Sequence, residues 1–427
     1  MENQAATAAA AGGAAARPEN FMQSPDATPP GNDSTLGHPA GHPGNAPGNA
    51  GNPPGDIVVF GATGYTGRLV TAELVAAGHR PVLAGRVGPR VAALAADYDG
   101  LPTAVADAGD AAALRRLLRA GDVLVSTVGP FDRLGRPAVA AAAAAGAHYV
   151  DCSGEGAFLR HVFADVGPRA AAAGGALLPG AGFEFVPGNL AGALALHAAG
   201  GAARRLDVGY FVSGPRGMSS GTRATLLAAF GGGVLALRDG RLVQRPLARE
   251  VRAFSTSADR AVPADRAARR ARRAVLWSGG EAVTLPRLAP ALTDVSTYVG
   301  GGGGARAAQA LSFPLAGLRR LPPTRAALGA LARAALSTSG RGPDARTRAR
   351  AEARVVACVR DGTGRELATV ALAGHDPYTF TGRIMAWMAG HLASGTVRRV
   401  GALGPVEAFG VGDLERAAQT AGLHRLT

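Results

Sequence analysis

The stretch Asp56-Ile-Val-Val-Phe-Gly-Ala-Thr-Gly-Tyr-Thr-Gly-Arg-Leu-Val70 constrains the fold more than any other in this chain. Ile57 to Phe60 are consecutive apolar residues and read as a buried strand. Gly61, Gly64 and Gly67 follow, and then a helical run from Arg68 to Ala77 that Gly78 closes. Strand, glycine turn and helix form the context in which a glycine pattern reads as a dinucleotide site. Gly61 lets the chain leave the strand in a tight turn. Gly64 lets backbone N–H groups approach a pyrophosphate, and Gly67 lets helix and strand pack closely. The helix N-terminus then faces the phosphate charge. The expected cofactor-binding set is Gly61, Ala62, Thr63, Gly64, Tyr65, Thr66 and Gly67. The spacing is G-x-x-G-x-x-G rather than G-x-G-x-x-G. Glycine makes up 62 of 427 residues, so the flanks carry the reading more than the spacing. The competing reading is a glycine-rich loop that only packs.

From Asp56 to about residue 190 the pattern alternates strand and helix. Strands are expected at Pro81 to Ala84, Thr103 to Ala106, Val123 to Thr127, His148 to Val150 and Ala176 to Leu178. Helices are expected at Val91 to Ala96, Ala111 to Arg119, Pro137 to Ala145 and Ala157 to Ala173, the last broken near Gly167-Pro168. Asp110 is a plausible N-cap. Alternation of this length means α/β architecture with a doubly wound parallel sheet, the Rossmann arrangement, over residues 56–190. Ligands in such sheets sit beyond the carboxyl ends of the strands. Residues 1–55 are rich in Ala, Gly, Pro and Asn without apolar periodicity and read as a disordered tail. Residues 191–375 read as a second α+β domain with a mostly antiparallel sheet. Strands are expected at Leu206 to Val212, Ala274 to Trp277 and Glu281 to Leu285, and a hairpin at Arg354 to Arg360 and Glu366 to Ala373 around Asp361-Gly362. Gly217 to Thr222 is a turn before a helical run, Arg223 to Ala229, and 301–350 is an insertion with little pattern. A long helix from Tyr378 to Ala393 opens a segment, 376–427, that returns to the first domain.

The formal net charge is +14, which raises nucleic acid as a partner. The basic residues are all arginine. Only Arg266 to Arg273 is a dense cluster and no aromatics interleave it, so nucleic-acid binding is not expected. Without lysine, Schiff-base chemistry has no nucleophile. The two cysteines, Cys152 and Cys358, form no C-x-x-C, supply no disulfide framework and fit a reducing cytoplasm. No signal peptide is visible. The most lipid-like stretch, Leu288 to Ala305, holds Pro290, Asp294 and a five-glycine run, which argues against a spanning helix. Peripheral association with a membrane surface and assembly into an oligomer are both compatible with this composition. No metal site is expected.

Arg86 follows the second strand. NAD enzymes place an acid there for the ribose 2′-OH, whereas an arginine suits a 2′-phosphate and so NADP. The alternative is a solvated loop cation. Asp107, ending the third strand, either accepts from the adenine amine or starts a turn. Gly129-Pro130, ending the fourth, either gives a flat backbone for the cofactor or is a plain turn. Asp151 and Glu155 follow the fifth strand. One of them is a proton donor near the nicotinamide, or both orient loops through backbone N–H bonds. Cys152 reads as a spectator thiol and Tyr149 as a core residue. No catalytic residue stands out.

As a set, Gly61-Ala-Thr-Gly-Tyr-Thr-Gly67, Ala84-Gly-Arg86, Val128-Gly-Pro-Phe131, Tyr149-Val-Asp-Cys-Ser-Gly-Glu155 and Gly182-Phe-Glu-Phe-Val-Pro-Gly-Asn-Leu190 resemble the saccharopine dehydrogenase family. The closest resemblance is to the branch that includes trans-acting enoyl reductases. Asp376-Pro-Tyr378 and Gly401-Ala-Leu-Gly-Pro-Val-Glu-Ala-Phe409 resemble that branch as well. The family often has an acid and a serine after Gly-Phe; here the acid is Glu184, and Phe185 replaces the small residue. The resemblance implies a Rossmann domain, a second α/β domain and NADP(H)-dependent reduction. It puts the phosphate loop on Gly61, Gly64 and Gly67, and the 2′-phosphate contact on Arg86. The function expected is reduction of a C=C in an enoyl, polyketide or lipid-like acyl substrate, free or carrier-bound. The alternatives are a C=N or carbonyl reductase of a small metabolite, and an NADP-binding scaffold without catalysis.

Overall fold

The computed structural model describes residues 55–214, 219, 234–247, 250–255, 271–300 and 342–426. The tail up to residue 54, most of the Gly217 to Thr222 turn, the Arg223 to Ala229 run, residues 301–341 of the insertion and residues 266–270 of the arginine cluster lie outside them.

The first half supplies six of the seven strands of one sheet. It runs β1 (Ile57–Phe60), α1 (Tyr65–Ala76), β2 (Val82–Gly85), α2 (Gly88–Ala96), β3 (Thr103–Val105), α3 (Ala111–Arg116), β4 (Val123–Ser126), α4 (Phe131–Ala145) and β5 (His148–Asp151). Then come α5 (Gly156–His161), a π-helical turn (Val162–Val166), α6 (Gly167–Ala173), β6 (Ala176–Leu178) and α7 (Val186–Ala199). Every residue of β1 and β4 is buried, because helices cover both faces of the sheet and leave no wet side. Asp110 caps α3, accepting from the Ala113 N–H at 2.9 Å, as its position in the sequence suggested. Between α5 and α6 the helix does not break at Gly167-Pro168. A π turn absorbs the irregularity, and Pro168 sits in the first turn of α6, where its missing N–H leaves no bond unmade.

The second half is β7 (Arg205–Ser213), β8 (Val234–Arg238), β9 (Arg241–Arg245), β10 (Val251–Phe254), β11 (Arg272–Trp277), α8 (Glu281–Leu288), β12 (Asp294–Gly300), α9 (Ala345–Ala349), β13 (Glu352–Arg360) and β14 (Glu366–His375). It closes with α10 (Pro377–Ala393), β15 (Gly401–Ala402), α11 (Pro405–Thr420) and β16 (Leu423–Leu426). The strand expected at Glu281 to Leu285 is therefore a helix. Its buried residues Glu281, Ala282, Thr284 and Leu285 follow the i, i+3, i+4 spacing of one helix face.

The first sheet has the order β15-β6-β5-β4-β1-β2-β3 and is parallel throughout. The second runs β10-β11-β12-β7-β13-β14-β16, with the β8–β9 hairpin joined to β12. It is antiparallel except where β7 lies parallel to β12. The hairpin expected around Asp361 pairs β13 with β14.

Helix α7 lies between the sheets, with every residue from Val186 to Leu196 buried. One apolar core runs from Val59, Val125 and Val150 of the first sheet to Val208, Val355 and Leu372 of the second. Helix α10 comes back to α1. Gly382 makes the approach possible, since a Cβ there would lie 3.1 Å from Leu69 Cβ.

Candidate cofactor and active site

Gly61 leaves β1 with φ +86°, a left-handed conformation that glycine adopts without a Cβ clash. The N–H groups of Gly61 and Ala62 both donate to Ala84 O, at 2.9 and 3.2 Å, pinning the turn to the end of β2. The Thr127 hydroxyl, just past β4, donates to Phe60 O and Gly61 O at 3.2 and 3.1 Å. Gly64 then starts α1 with no side-chain cap and no acid in the first turn. The first N–H groups of a twelve-residue helix thus stand without intrahelical partners and favour an anion.

The three glycines differ in what a side chain would meet. A Cβ at Gly67 would overlap Gly61 O and come 2.9 Å from Ala62 Cα. That is the close packing of helix on turn. Among the described residues a Cβ at Gly64 would meet only Gly61 O, at 3.1 Å, and Gly64 is exposed. The space above it is open for a ligand.

The register puts the other expected residues on the same rim. Phe60 pairs with Ala84 and with Ser126, so Gly61, Gly85-Arg86 and Thr127 leave neighbouring parallel strands together. Arg86 is exposed and, among the described residues, has no ion pair. Gly129-Pro130, joined by a cis peptide bond, leads into α4. Asp107 is exposed beyond β3, and its Oδ1 accepts from the Gly109 N–H at 2.8 Å, so one oxygen is already engaged in a turn. Ala62 is buried, and Thr63 and Thr66 are partly exposed. The Tyr65 side chain turns away from the rim. Its hydroxyl donates to Pro343 O at 2.6 Å and accepts from Arg348 Nη1 at 3.1 Å, and Arg348 Nε reaches Asp376 Oδ2 at 3.1 Å.

The carboxylates after β5 are engaged in building the rim. Asp151 is fully buried, and its Oδ1 accepts from the Ser153 and Gly180 N–H groups, each at 2.8 Å. Burial pushes its carboxyl up to about 6. Glu155 accepts from the Phe131 and Asp132 N–H groups at 2.8 and 2.9 Å, capping α4 from another element. Burial raises its carboxyl too. Both make the loop-orienting bonds weighed in the sequence. Burial drives the Cys152 thiol well up, away from the thiolate needed for nucleophilic chemistry. Tyr149 is fully buried in the core.

Two acids gave no clear signal in the sequence. Glu281, on α8, has no exposure, accepts from the Tyr210 and Thr297 hydroxyls at 2.6 and 3.0 Å, and is pushed up to about 7 by burial. Reading its segment as a strand hid it. Glu184, between β6 and α7, is half-buried, and burial with help from nearby Glu155 pushes it up to about 7. Its only signal was its place after Gly182-Phe183.

Residues 57–177 match the model of the saccharopine dehydrogenase NADP binding domain. This stretch, most of the first domain, is thus similar to that NADP binding domain. A Mycobacterium tuberculosis protein (strain H37Rv), provisionally named a trans-acting enoyl reductase, is 39% identical over 181 residues, 40% of this chain and 43% of that one. The trans-acting enoyl reductase of Mycobacterium leprae is 39% identical over 142 residues, 32% of this chain and 34% of that one. The matched region thus spans less than half the length of these relatives. Among solved structures, apo histidine-tagged saccharopine dehydrogenase (L-Glu forming) from Saccharomyces cerevisiae superposes with a TM-score of 0.53 at 14% identity, over 87% of this chain and 99% of that one. That likeness is one of fold. NADP, the cofactor of this domain, fits the rim: helix N–H groups have no side-chain cap, Gly64 leaves room for a phosphate, and Arg86 is an exposed cation on the adjoining strand end. Among the described residues, no helix is long and apolar enough to cross a membrane.

Proposed function

We propose that the protein is an NADPH-dependent reductase acting on a C=C bond of an enoyl, polyketide or lipid-like acyl chain, free or held as a thioester on a carrier. The observation that carries this reading is the rim of the first sheet, an uncapped helix N-terminus over a glycine turn with Arg86 beside it. On this reading the backbone of Gly61 to Gly67 holds the pyrophosphate and Arg86 pairs with the 2′-phosphate. Gly129-Pro130 borders the cofactor's far end, and Asp107 the adenine end. NADPH supplies the hydride. The chain binds and orients both reactants. The names of the mycobacterial relatives support an acyl substrate.

The test is NADPH oxidation by the purified full chain with a panel of 2-enoyl thioesters on coenzyme A and on a carrier protein, the product weighed by mass spectrometry. A gain of two hydrogens by the acyl chain is expected. Turnover confined to imines or ketones would sink the acyl reading and favour the small-metabolite reductase.

A further inference from the structure

We infer that Glu184 is the residue that protonates the substrate carbon opposite the site of hydride addition. The inference rests on the reductase reading above. Three strand ends converge at this point. Gly129-Pro130 follows β4, and the next two N–H groups, of Phe131 and Asp132, are held by Glu155 from the β5 side. Glu184 follows β6 and lies within electrostatic reach of Glu155. The reacting end of a ligand bound across a doubly wound sheet belongs beyond these strand ends.

The acids there are not equivalent. Asp151 is sealed, and both oxygens of Glu155 accept backbone N–H bonds. Among the described residues Glu184 has neither a hydrogen-bond partner nor an ion pair, and it is partly open. The titratable groups facing it are Glu155 and Cys152 from the β5 side and Tyr210 from β7. Thr381 of α10 is engaged, accepting from the Phe183 N–H at 3.1 Å and donating to Pro377 O at 2.8 Å. Phe183 and Phe185, its sequence neighbours, are buried. Apolar walls and a neighbouring carboxylate both favour the neutral acid. Glu184 therefore holds its proton near neutral pH, as a general acid must.

The chemistry balances. Hydride bonds to the β-carbon of the enoyl thioester, and the electron pair of the C=C moves toward the α-carbon. The Glu184 O–H bond breaks as a C–H bond forms at that α-carbon. A saturated thioester, NADP⁺ and the Glu184 carboxylate result, and solvent returns the proton to Glu184.

The test pairs wild type with Glu184→Gln, which keeps size and loses the acid. The wild-type-minus-variant infrared spectrum should show a carboxylic-acid C=O band that titrates at about 7 and shifts when NADPH is added. Fluorescence titration should show NADPH affinity within about twofold of wild type, while turnover of an enoyl thioester falls by about a hundredfold or more. Wild-type turnover should fall above pH 7, and the residual rate of the variant should lose that limb. A band that titrates in the ordinary carboxylate range, or a variant with wild-type turnover, overturns the assignment. A wild-type chain that reduces no enoyl thioester overturns the acyl reading and the α-carbon proton transfer with it, whereas an active wild type beside an equally active Glu184→Gln overturns the Glu184 assignment alone.

Discussion

Gly64 and Gly67 belong to one motif and should fail in different ways. Among the described residues a side chain at Gly64 meets only Gly61 O, 3.1 Å from its Cβ, and on the proposed reading it fills the space a phosphate would take. Gly64→Val should fold normally and bind neither NADPH nor NADH. Quenching of Trp277 and Trp387 would measure binding, and circular dichroism would monitor folding. A folded Gly64→Val protein with wild-type affinity would remove the basis for the dinucleotide site. A Cβ at Gly67 collides with the backbone of Gly61 and Ala62, so Gly67→Ala should instead destabilise the fold by about 1–3 kcal/mol, seen as a lower Tm. Arg86 is expected to separate the two cofactors. A guanidinium on a 2′-phosphate contributes about 1.5–3 kcal/mol, so Arg86→Ala should weaken NADPH roughly tenfold to a hundredfold and leave NADH unchanged. Equal losses would make Arg86 a support of the loop. The turn itself was legible in the sequence because its geometry demands the residue type: φ is +86° at Gly61, and Gly67 has no room for a Cβ. Glu184 was not legible as a donor. What distinguishes it is the engagement of Asp151 and Glu155 elsewhere and the walls around it, which depend on tertiary packing.

At the scale of elements, α8 shows why short segments mislead. Glu281-Ala-Val-Thr-Leu285 does not alternate, but it is a short, partly apolar run, and five residues are too few for a helical period to assert itself. The hairpin of β13 and β14 read correctly because its turn is local: Asp361 Oδ1 accepts from the Thr363 and Arg365 N–H groups at 3.0 Å each. The parallel strands read correctly because each is a short apolar run set off by helices and glycines. The parallel contact of β7 with β12 joins residues far apart in the chain and left no local trace. Placing α8 as a helix has an electrostatic consequence, because it brings Glu281 into a fully buried site where its carboxyl rises to about 7. The unfolded chain releases that proton near 4.3. Between those values the native state holds more protons than the unfolded state, so stability falls as pH rises. The contribution is complete below the unfolded value and lost above about 7. Asp151 and Glu184 act in the same direction. Asp361, lowered to about 2, acts only in a more acidic window. Tm should therefore drop between pH 5 and pH 8, and Glu281→Gln should flatten the slope by up to about 1.4 kcal/mol per pH unit. An unchanged slope in that variant would refute the buried-acid account.

The whole molecule is interlaced rather than serial. Helix α10 packs on α1 and on the first sheet, and its Phe380, Ile384, Met385, Met388 and Leu392 are all essentially buried. Strand β15 adds a seventh strand beside β6. Asn189 of α7 ties α8 to α11, its Nδ2 donating to the Thr284 hydroxyl at 2.8 Å and its Oδ1 accepting from the Val406 N–H at 3.0 Å. A fragment of residues 55–200 keeps every strand of the first sheet but one, yet it bares the face of α1, the edge of β6 and most of α7. Such exposure favours association. The fragment should sediment as aggregates without a cooperative melt, and a monomeric fragment with a sharp thermal transition would contradict the interlacing. The late arrival of β15 also bears on synthesis. A ribosome adds ~5–20 residues per second, and the whole second sheet up to β14 is made between β6 and its last neighbour. Each nascent chain therefore spends tens of seconds with the β6 edge unpaired, and on a crowded polysome the nearest strand available to that edge belongs to the next copy in line. Translation speed through the second sheet thus sets the interval in which two nascent copies can pair with each other instead of each completing its own fold.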